Sequence, residues 1–592
     1  MFPFLRPKAS EHATRRRGRL VAAALILFGA AITARLVQLQ VIESGHWRAL
    51  AASAQEQTIE LPPRRGAIFD RNGTPLAFDV KAMAIAVDGY NVTKPATLVA
   101  ILAEELGRSV GEISQRVYRP SYFTWIDRPV ELETAQRIER RAREAGARGL
   151  ILLDTWKRCY PQGRLASNVI GFVGTDGEGL EGIELRFDEA LRGSPSRIHV
   201  VEGADGRTYQ SEVIELGEPG RDVALTLDAQ LQFICEEEIE RGVATFRAEV
   251  GMIVVLDPRT GEVLAMAQDK GYDLNEFRTS TPDARKNQAI SYLFEPGSIF
   301  KVFAGLAALD AGVVRAEDTL EGNAGIEISG HVMHNADHMA YGTVTFAETI
   351  EHSINTAMIR VALQLGEEAL HGFFSNLGFG TRTGIELPGE EPGILRPAAA
   401  WSRLDLAAAS IGQSVAVTGI QLARALAAIA NGGCLPEVCI VREEIGAAVT
   451  AKRVASPEGS ATMREMMMRV VESGTGILAE VEGFSVAGKT GTAQKAVPGL
   501  GYAAGKDTSL FGGFLPSDDP EVVILVVLDE VSRAPTSGGY TAAPVFRETA
   551  IRMIRAERFA PSEAEMTEAR IDSPLSGEQL PSSSGQALFG RQ

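Results

Sequence analysis

Ser298 and Lys301 stand three residues apart in the stretch Phe294-Glu295-Pro296-Gly297-Ser298-Ile299-Phe300-Lys301, a spacing at which a hydroxyl and an amine can work as nucleophile and base. On a helix, residues three apart lie on one face about one turn from each other, so the Lys301 amine can reach the Ser298 hydroxyl. Pro296 and Gly297 break the preceding element, and Ile299, Phe300, Val302, Phe303, Leu306, Ala307 and Leu309 then follow as a run that is apolar on every face. This predicts a buried central helix that stops at Asp310-Ala311-Gly312 and turns its N-terminal N–H groups toward incoming negative charge. Lysine is ordinarily protonated near neutral pH; burial disfavours the ammonium, and a second nearby cation disfavours it further. A neutral Lys301 could then take the Ser298 proton as the oxygen attacks a carbonyl. Alone the motif is weak, since a chain this long contains about one Ser-x-x-Lys by chance.

Two further stretches carry polar groups in usable positions. Thr345 and Glu348 form a capping box for a helix starting at Phe346 and running to Ser353-Ile354-Asn355, before a second apolar helix over Ala357 to Leu365. Ser353 and Asn355, two apart at a helix–helix junction, can both point into a cleft; by themselves they read equally as an ordinary polar junction. Lys489-Thr490-Gly491-Thr492 lies in a period-two pattern that argues for a strand, with Lys489 and Gly491 on one face and Thr490 and Thr492 on the other. A glycine inside a strand often marks close approach by a ligand. The strand's N–H groups could hold an extended peptide, and the lysine charge and threonine hydroxyls a carboxylate.

A rival occupies the same residues. Gly483-Phe484-Ser485-Val486-Ala487-Gly488-Lys489-Thr490 fits the phosphate-loop pattern letter for letter, and Val522 to Leu528 followed by Asp529-Glu530 resembles a magnesium-binding strand. That reading needs a buried strand before Gly483 and a helix opening at Lys489. Glu480-Val481-Glu482 is too polar for the first, and Gly491, Pro498, Gly499 and Gly501 preclude the second. His331, His334, Asp337 and His338 have spacing that could suit a metal, but they read as a solvated, Gly-bounded loop without helical or hairpin register.

The elements that must position these groups form an α+β pattern. Val223 to Asp228 leads into a helix to about Phe246; Met252 to Leu256 and Glu262 to Ala267 are strands joined by the turn sequence Asp257-Pro258-Arg259-Thr260-Gly261. Strand candidates Phe484 to Ala493, Ser509 to Leu515 and Val522 to Leu528 come after the helical middle, and a helix over Pro544 to Arg555 closes the unit. Hairpin-type connections on either side of a helical middle describe an antiparallel sheet with helices on its faces. Upstream, Arg64-Arg65-Gly66-Ala67-Ile68-Phe69 runs into the Asp70-Arg71-Asn72-Gly73 turn, and an amphipathic helix covers Glu131 to Ala147.

At 592 residues the chain exceeds one ordinary core, and its net charge of −17 argues against nucleic acid as a partner. Arg6, Lys8, Arg15, Arg16, Arg17 and Arg19 precede the uncharged stretch Leu20 to Ala34, which Leu36, Val37, Leu39 and Val41 extend to the roughly 20 residues that span a bilayer. With no small-x-small cleavage site before a polar start, a retained anchor is favoured over a cleaved signal peptide. The positive cluster keeps residues 1–19 in the cytoplasm and sends everything after Val41 outside, where ATP is scarce. The expected order is a tail (1–19), an anchor (20–41), a non-catalytic pedestal of dimerisation type (42–221), a catalytic domain (222–557) and a disordered tail (558–592) rich in Ser, Pro, Glu and Gly. Cys434 and Cys439 flank a turn at disulfide-permitting spacing, which leaves their state open, while Cys159 and Cys235 are isolated.

Ser298-x-x-Lys301, Ser353-x-Asn355 and Lys489-Thr490-Gly491, in that order, resemble the signature of penicillin-binding proteins and serine β-lactamases. Arg65-Gly66 through Gly73, Arg158-Cys159-Tyr160-Pro161 and Gly182-Ile183-Glu184 look like the non-catalytic domain of class B penicillin-binding proteins. The segments Val471 to Gly476, Lys489 to Lys495 and Ala542 to Phe546 look most like the division-specific transpeptidase, with the elongation-specific relative as second reading. His352 before Ser353 and Ser414 after Gly412-Gln413 depart from the usual pattern without touching a motif position. The resemblance implies a penicillin-binding transpeptidase fold with a five-stranded antiparallel sheet. It implies cross-linking of peptidoglycan stem peptides ending in D-Ala-D-Ala through a serine acyl-enzyme, and acylation by β-lactams. It assigns Ser298 as nucleophile, Lys301 as base, Ser353 as proton relay, Asn355 as substrate-orienting amide and Lys489 as electrostatic support. Thr490, Gly491 and Thr492 would bind the carboxylate and oxyanion. No metal or organic cofactor is expected; a lipid-linked glycan polymerase and other division proteins are the expected partners, at the inner membrane. A membrane-anchored β-lactamase, a β-lactam sensor and a non-catalytic division scaffold are the readings from other classes.

Overall fold

The computed structural model describes residues 11–47, 56–202, 208–442, 451–497 and 501–556. The expected tail over 558–592 and the first ten residues of the expected cytoplasmic segment lie outside them. The chain forms two compact units that alternate along it: one holds residues up to Arg64, Lys81–Trp156 and Gly193–Gly220, the other Arg65–Val80, Lys157–Arg192 and everything from Arg221.

The first unit begins with helix α1, Glu11–Val37. Residues Arg15–Ile42 are long and apolar enough to cross a membrane, and the fold buries none of this surface. Leu25, Ile26, Leu27 and Phe28 all face outward. So many uncovered apolar side chains on one helix are what a lipid anchor requires. The strands Glu56–Leu61, Ser196–Glu202 and Thr208–Glu215 form a three-stranded antiparallel sheet. A separate core, including Ile85, Leu98, Leu102, Ile113, Ile126 and Ile138, is built where the helices Pro95–Leu106, Val110–Val117 and Leu132–Ala145 cover the pairing of residues 82–87 with Thr124–Glu131. The helix expected over 131–147 is thus present.

The second unit carries the sheet that the sequence implies. Helix α2 (Ala229–Phe246) precedes strands β1 (Val250–Leu256) and β2 (Val263–Gln268). The helical middle holds α3 (Phe300–Asp310), α4 (Phe346–Glu351), α5 (Asn355–Leu365), α6 (Gly419–Ala430) and α7 (Pro457–Glu472). Strands β3 (Ala487–Val497), β4 (Gly501–Leu515) and β5 (Val522–Val531) follow, then α8 (Ala542–Arg555). The five strands run antiparallel in the order β2-β1-β5-β4-β3, so β3 is an edge strand. Strands β1 and β5 are apolar almost throughout because helices cover both sheet faces: α6 packs on one side, α2 and α8 on the other. Val526 pairs with Ile253 and Phe511, in register across three strands.

The segments Arg65–Val80 and Lys157–Arg192 fold into this second unit around a buried ionic cluster. Glu184, whose side chain is fully buried, accepts from Arg65 Nε and Arg158 Nε, both at 2.6 Å. Arg65 also meets Asp188 at 2.6 Å, Arg158 meets Asp79 at 3.3 Å, and the Tyr160 hydroxyl donates to Glu184 at 3.2 Å. Each charge is compensated, so the cluster is sound only as a whole. Glu184→Ala leaves two buried guanidiniums short of a partner and should cost about 3–5 kcal/mol of folding stability. Urea unfolding of the full chain in detergent tests this, and an unmoved midpoint would contradict the cluster's role.

Candidate active site

Helix α3 is buried from Phe300 to Ala308 and follows a short 3-10 turn over Gly297–Ile299. Ser298 sits half-buried in that turn, and Lys301 lies in the first turn of α3 with its side chain fully buried. Gly297 has a φ of +55°, and a Cβ there would stand 2.6 Å from the Thr492 carbonyl oxygen. The turn bearing Ser298 therefore lies directly on strand β3. A Cβ on Gly412 would collide with the Gly297 carbonyl, and one on Gly491 would come within 2.8 Å of Pro296 O. Only glycine backbones permit this convergence.

The second motif arrives as the sequence reading expects. Thr345 caps α4 reciprocally with Glu348. The helix ends at Glu351, and Ser353 adopts a left-handed φ of +58°, a conformation costly for a residue with a side chain. That twist turns Ser353 toward α3: the Lys301 amine donates to its hydroxyl at 3.0 Å and to its carbonyl. The amine is thus engaged with Ser353 rather than with Ser298, whose hydroxyl makes no hydrogen bond among the described residues. Asn355 starts α5, and its amide donates to the carbonyl of His334 at 2.8 Å.

The His-rich stretch corrects one expectation. It is not an irregular loop: Gly325–Ile328 and His331–His334 form a β-hairpin. Asn335, buried beside it, accepts from Thr356 N and donates to the carbonyls of Asn323 and Met339, fixing the hairpin against α5. Among the described residues no three or more His, Cys, Asp or Glu converge on a metal-sized site. Cys159, Cys235 and Cys434 are free thiols.

Lys489 enters from β3, fully buried, with its amine 3.4 Å from the Thr490 hydroxyl. The two amines face one environment. Burial, then the charge of Lys489, hold the Lys301 amine well below the ordinary lysine range; Asp337 opposes this weakly. Burial pushes Lys489 down to about 7. Thr492 is exposed, and its hydroxyl accepts from Gly538 N at 3.1 Å. The phosphate-loop alternative fails on geometry. Residues 487–497 are strand, paired residue by residue with β4, and a Cβ on Gly488 would strike the Phe511 ring at 2.4 Å.

Sequence reasoning missed the groups that tie the motifs together. The Thr475 hydroxyl bonds Thr490 at 2.8 Å. Buried Glu351 accepts from Arg469 at 2.9 Å and Ser473 at 2.7 Å, and its carbonyl receives Thr475 N at 3.3 Å. Glu295 receives Ser414 N at 2.9 Å. The segments 471–476 and 412–414 stood out in the sequence only as marks of lineage; nothing local announced what they touch.

With this geometry in hand, the comparisons are specific. The penicillin-binding protein transpeptidase domain matches residues 251–550, and the penicillin-binding protein dimerisation domain matches 60–225. The chain belongs to the penicillin-binding proteins, and the dimerisation domain before the transpeptidase domain places it among the class B members. It is 30% identical over 544 residues to the peptidoglycan D,D-transpeptidase FtsI of Escherichia coli, covering 90% of both chains. It is 31% identical over 542 residues to stage V sporulation protein D of Bacillus subtilis, covering 88% of this chain and 83% of that one. The crystal structure of penicillin-binding protein 3 from Mycobacterium tuberculosis complexed with aztreonam matches with a TM-score of 0.65 at 28% identity, over 85% of this chain and 98% of that one.

A buried amine with a lowered pKa binds fewer protons in the folded chain than in the unfolded one. Lys489 therefore destabilises the fold below about pH 7, and this cost fades as pH rises toward the unfolded lysine value of about 10.4. Lys489→Met should be more stable than the parent at pH 6.5, with the gap closing by pH 9.5. A gap independent of pH in denaturant titrations would show that the amine is not held neutral by burial.

Proposed function

We propose that the protein is a peptidoglycan D,D-transpeptidase working through an acyl-enzyme on Ser298, and that β-lactams acylate the same oxygen. The observation that carries this reading is the pair of buried amines, Lys301 and Lys489, gathered beside Ser353 and the Ser298 turn. Ser298 Oγ attacks the carbonyl of the penultimate D-alanine of a stem peptide, and neutral Lys301 accepts its proton. The oxyanion faces the N–H groups of Ser298 and Thr492, whose backbones the Gly297 contact brings together; such donors are worth about 10²–10³ in rate. The proton passes through Ser353, bonded to Lys301, to the leaving nitrogen, and D-alanine departs. An amine of a neighbouring stem then attacks the ester, forming the cross-link and freeing Ser298. The open edge of β3 offers backbone groups to an extended stem peptide, with Thr490 and Thr492 for its carboxylate and Asn355 for its amide.

The basic cluster that precedes Leu20 supports a cytoplasmic N-terminus and a catalytic unit on the outer side of the inner membrane. The segments 471–476, 489–495 and 542–546 support a septal role, alongside a lipid-linked glycan polymerase and other division proteins.

Ser298→Ala should abolish covalent labelling by a fluorescent penicillin, while label on the parent persists for many turnover times of a hydrolase; retained labelling in the variant would assign another nucleophile. The rate of labelling should fall on acidification as Lys301 gains its proton. Because the charge of Lys489 disfavours the Lys301 ammonium, Lys489→Gln should move that acid limb to higher pH, and a stationary or lowered limb would remove Lys301 as the base. In growing cells the tagged chain should form a midcell band; a lateral distribution would assign it to elongation.

A further inference from the structure

The first unit carries a group of uncovered aromatic rings far along the chain from any catalytic motif. Tyr90, Tyr118, Tyr122 and Phe123 are all exposed, Tyr122 by 69%. Tyr90 and Tyr122 lie ring to ring with centroids 4.7 Å apart, and Phe123 meets Trp125 edge-on at 4.7 Å. Arg128 lies over the Trp125 ring at 4.5 Å, and exposed Arg119 sits one residue beyond Tyr118.

The two loops that carry the rings are stitched together. Gly89 N donates to Ser121 O at 2.8 Å, and a Cβ on Gly89 would strike the Arg119 carbonyl, so only glycine lets the loops close. Asp88 holds its own loop by accepting from Tyr90 N, Asn91 N and the Asn91 amide. The Ser121 hydroxyl donates to Phe123 O. The rings are therefore presented by a fixed backbone, and little ordering remains to be done on binding.

We propose that this platform binds the glycan strands of peptidoglycan, an inference that rests on the transpeptidase reading for the identity of the polymer. Three of the four exposed rings are tyrosines, each with an apolar face and a polar tip. Such rings fit a ligand that is itself apolar on its faces and hydroxylated at its edges, as pyranose rings are. Asn91 and the backbone of both loops stand at the rim for hydroxyl groups. The charge is complementary. Where a stem has been removed the glycan carries a free lactyl carboxylate, and Arg119 and Arg128 supply cations at the rings in a chain whose overall charge is −17. A chain that holds the polymer at a second site raises the effective concentration of stem peptides for its acyl-transfer unit.

The test uses the full chain in detergent, sedimented with purified insoluble peptidoglycan, and stem-free glycan strands from amidase digestion as competitor. Tyr90→Ala combined with Tyr122→Ala should weaken co-sedimentation about tenfold, and Arg119→Glu alone should weaken it in the same direction. Stem-free strands should displace the parent and change Trp125 fluorescence, while penicillin labelling of Ser298 in both variants stays within about twofold of the parent. Unchanged co-sedimentation of the variants overturns the proposal, as does failure of stem-free strands to compete or to alter the fluorescence, which would mark the face for a protein partner. Loss of labelling with retained, ring-dependent sedimentation would instead count against the transpeptidase reading alone.

Discussion

Two lysine amines in one dry cleft are the constraint around which the catalytic unit is built. Water would stabilise both as ammonium ions, and neither would then serve as a base. Lys301 and Lys489 escape this because their side chains have no exposed surface. Keeping them so takes a helix that is apolar all round, a strand with a second strand against it, and the large shared core that packs Phe300 and Phe303 against Phe374 and Phe379. The cost is local and the support is distributed, the usual way a fold holds a destabilised group in place.

Dryness alone would not set the distances. The first and third motifs come together because backbone meets backbone where side chains are missing: Gly297 on Thr492, Gly412 on Gly297, Gly491 on Pro296. Each contact would be broken by one methyl group. The left-handed Ser353 is the counterpart on a residue that needs its side chain, since the hydroxyl it turns toward Lys301 has to be present. Strain and close approach thus coincide at this site.

This division explains what the sequence made legible. The capping box at Thr345, the apolar run after Ser298, the turn between β1 and β2 and the alternation in β3 are local signals, and each marks an element found at that place. Three motifs at separate places could be seen to share one chemistry because their residue types are so constrained. What was illegible depends on partners distant in sequence. Glu351 bonds Arg469, 118 residues away, and no periodicity around either predicts it. The hairpin at His331 was read as a loop because two four-residue strands give too little alternation to outweigh the polar residues around them. The bond from the Asn355 amide to the His334 carbonyl was likewise illegible, because it depends on that unforeseen hairpin.

The ionic cluster around Glu184 belongs to the same logic, although it lies away from the motifs. An apolar substitute of equal volume would serve stability as well or better, because the buried charges give back in attraction only what desolvation takes. What two guanidiniums and three carboxylates add is discrimination. Arg65, Asp79, Arg158, Glu184 and Asp188 come from two separate segments of chain, and a shift of register in either leaves a charge without its partner. Strongly apolar segments tolerate slippage; these do not. The early segments Arg65–Val80 and Lys157–Arg192 must find their places in a unit whose sheet is completed only by Val522–Val531, and a pairing satisfied in one arrangement alone is suited to that task.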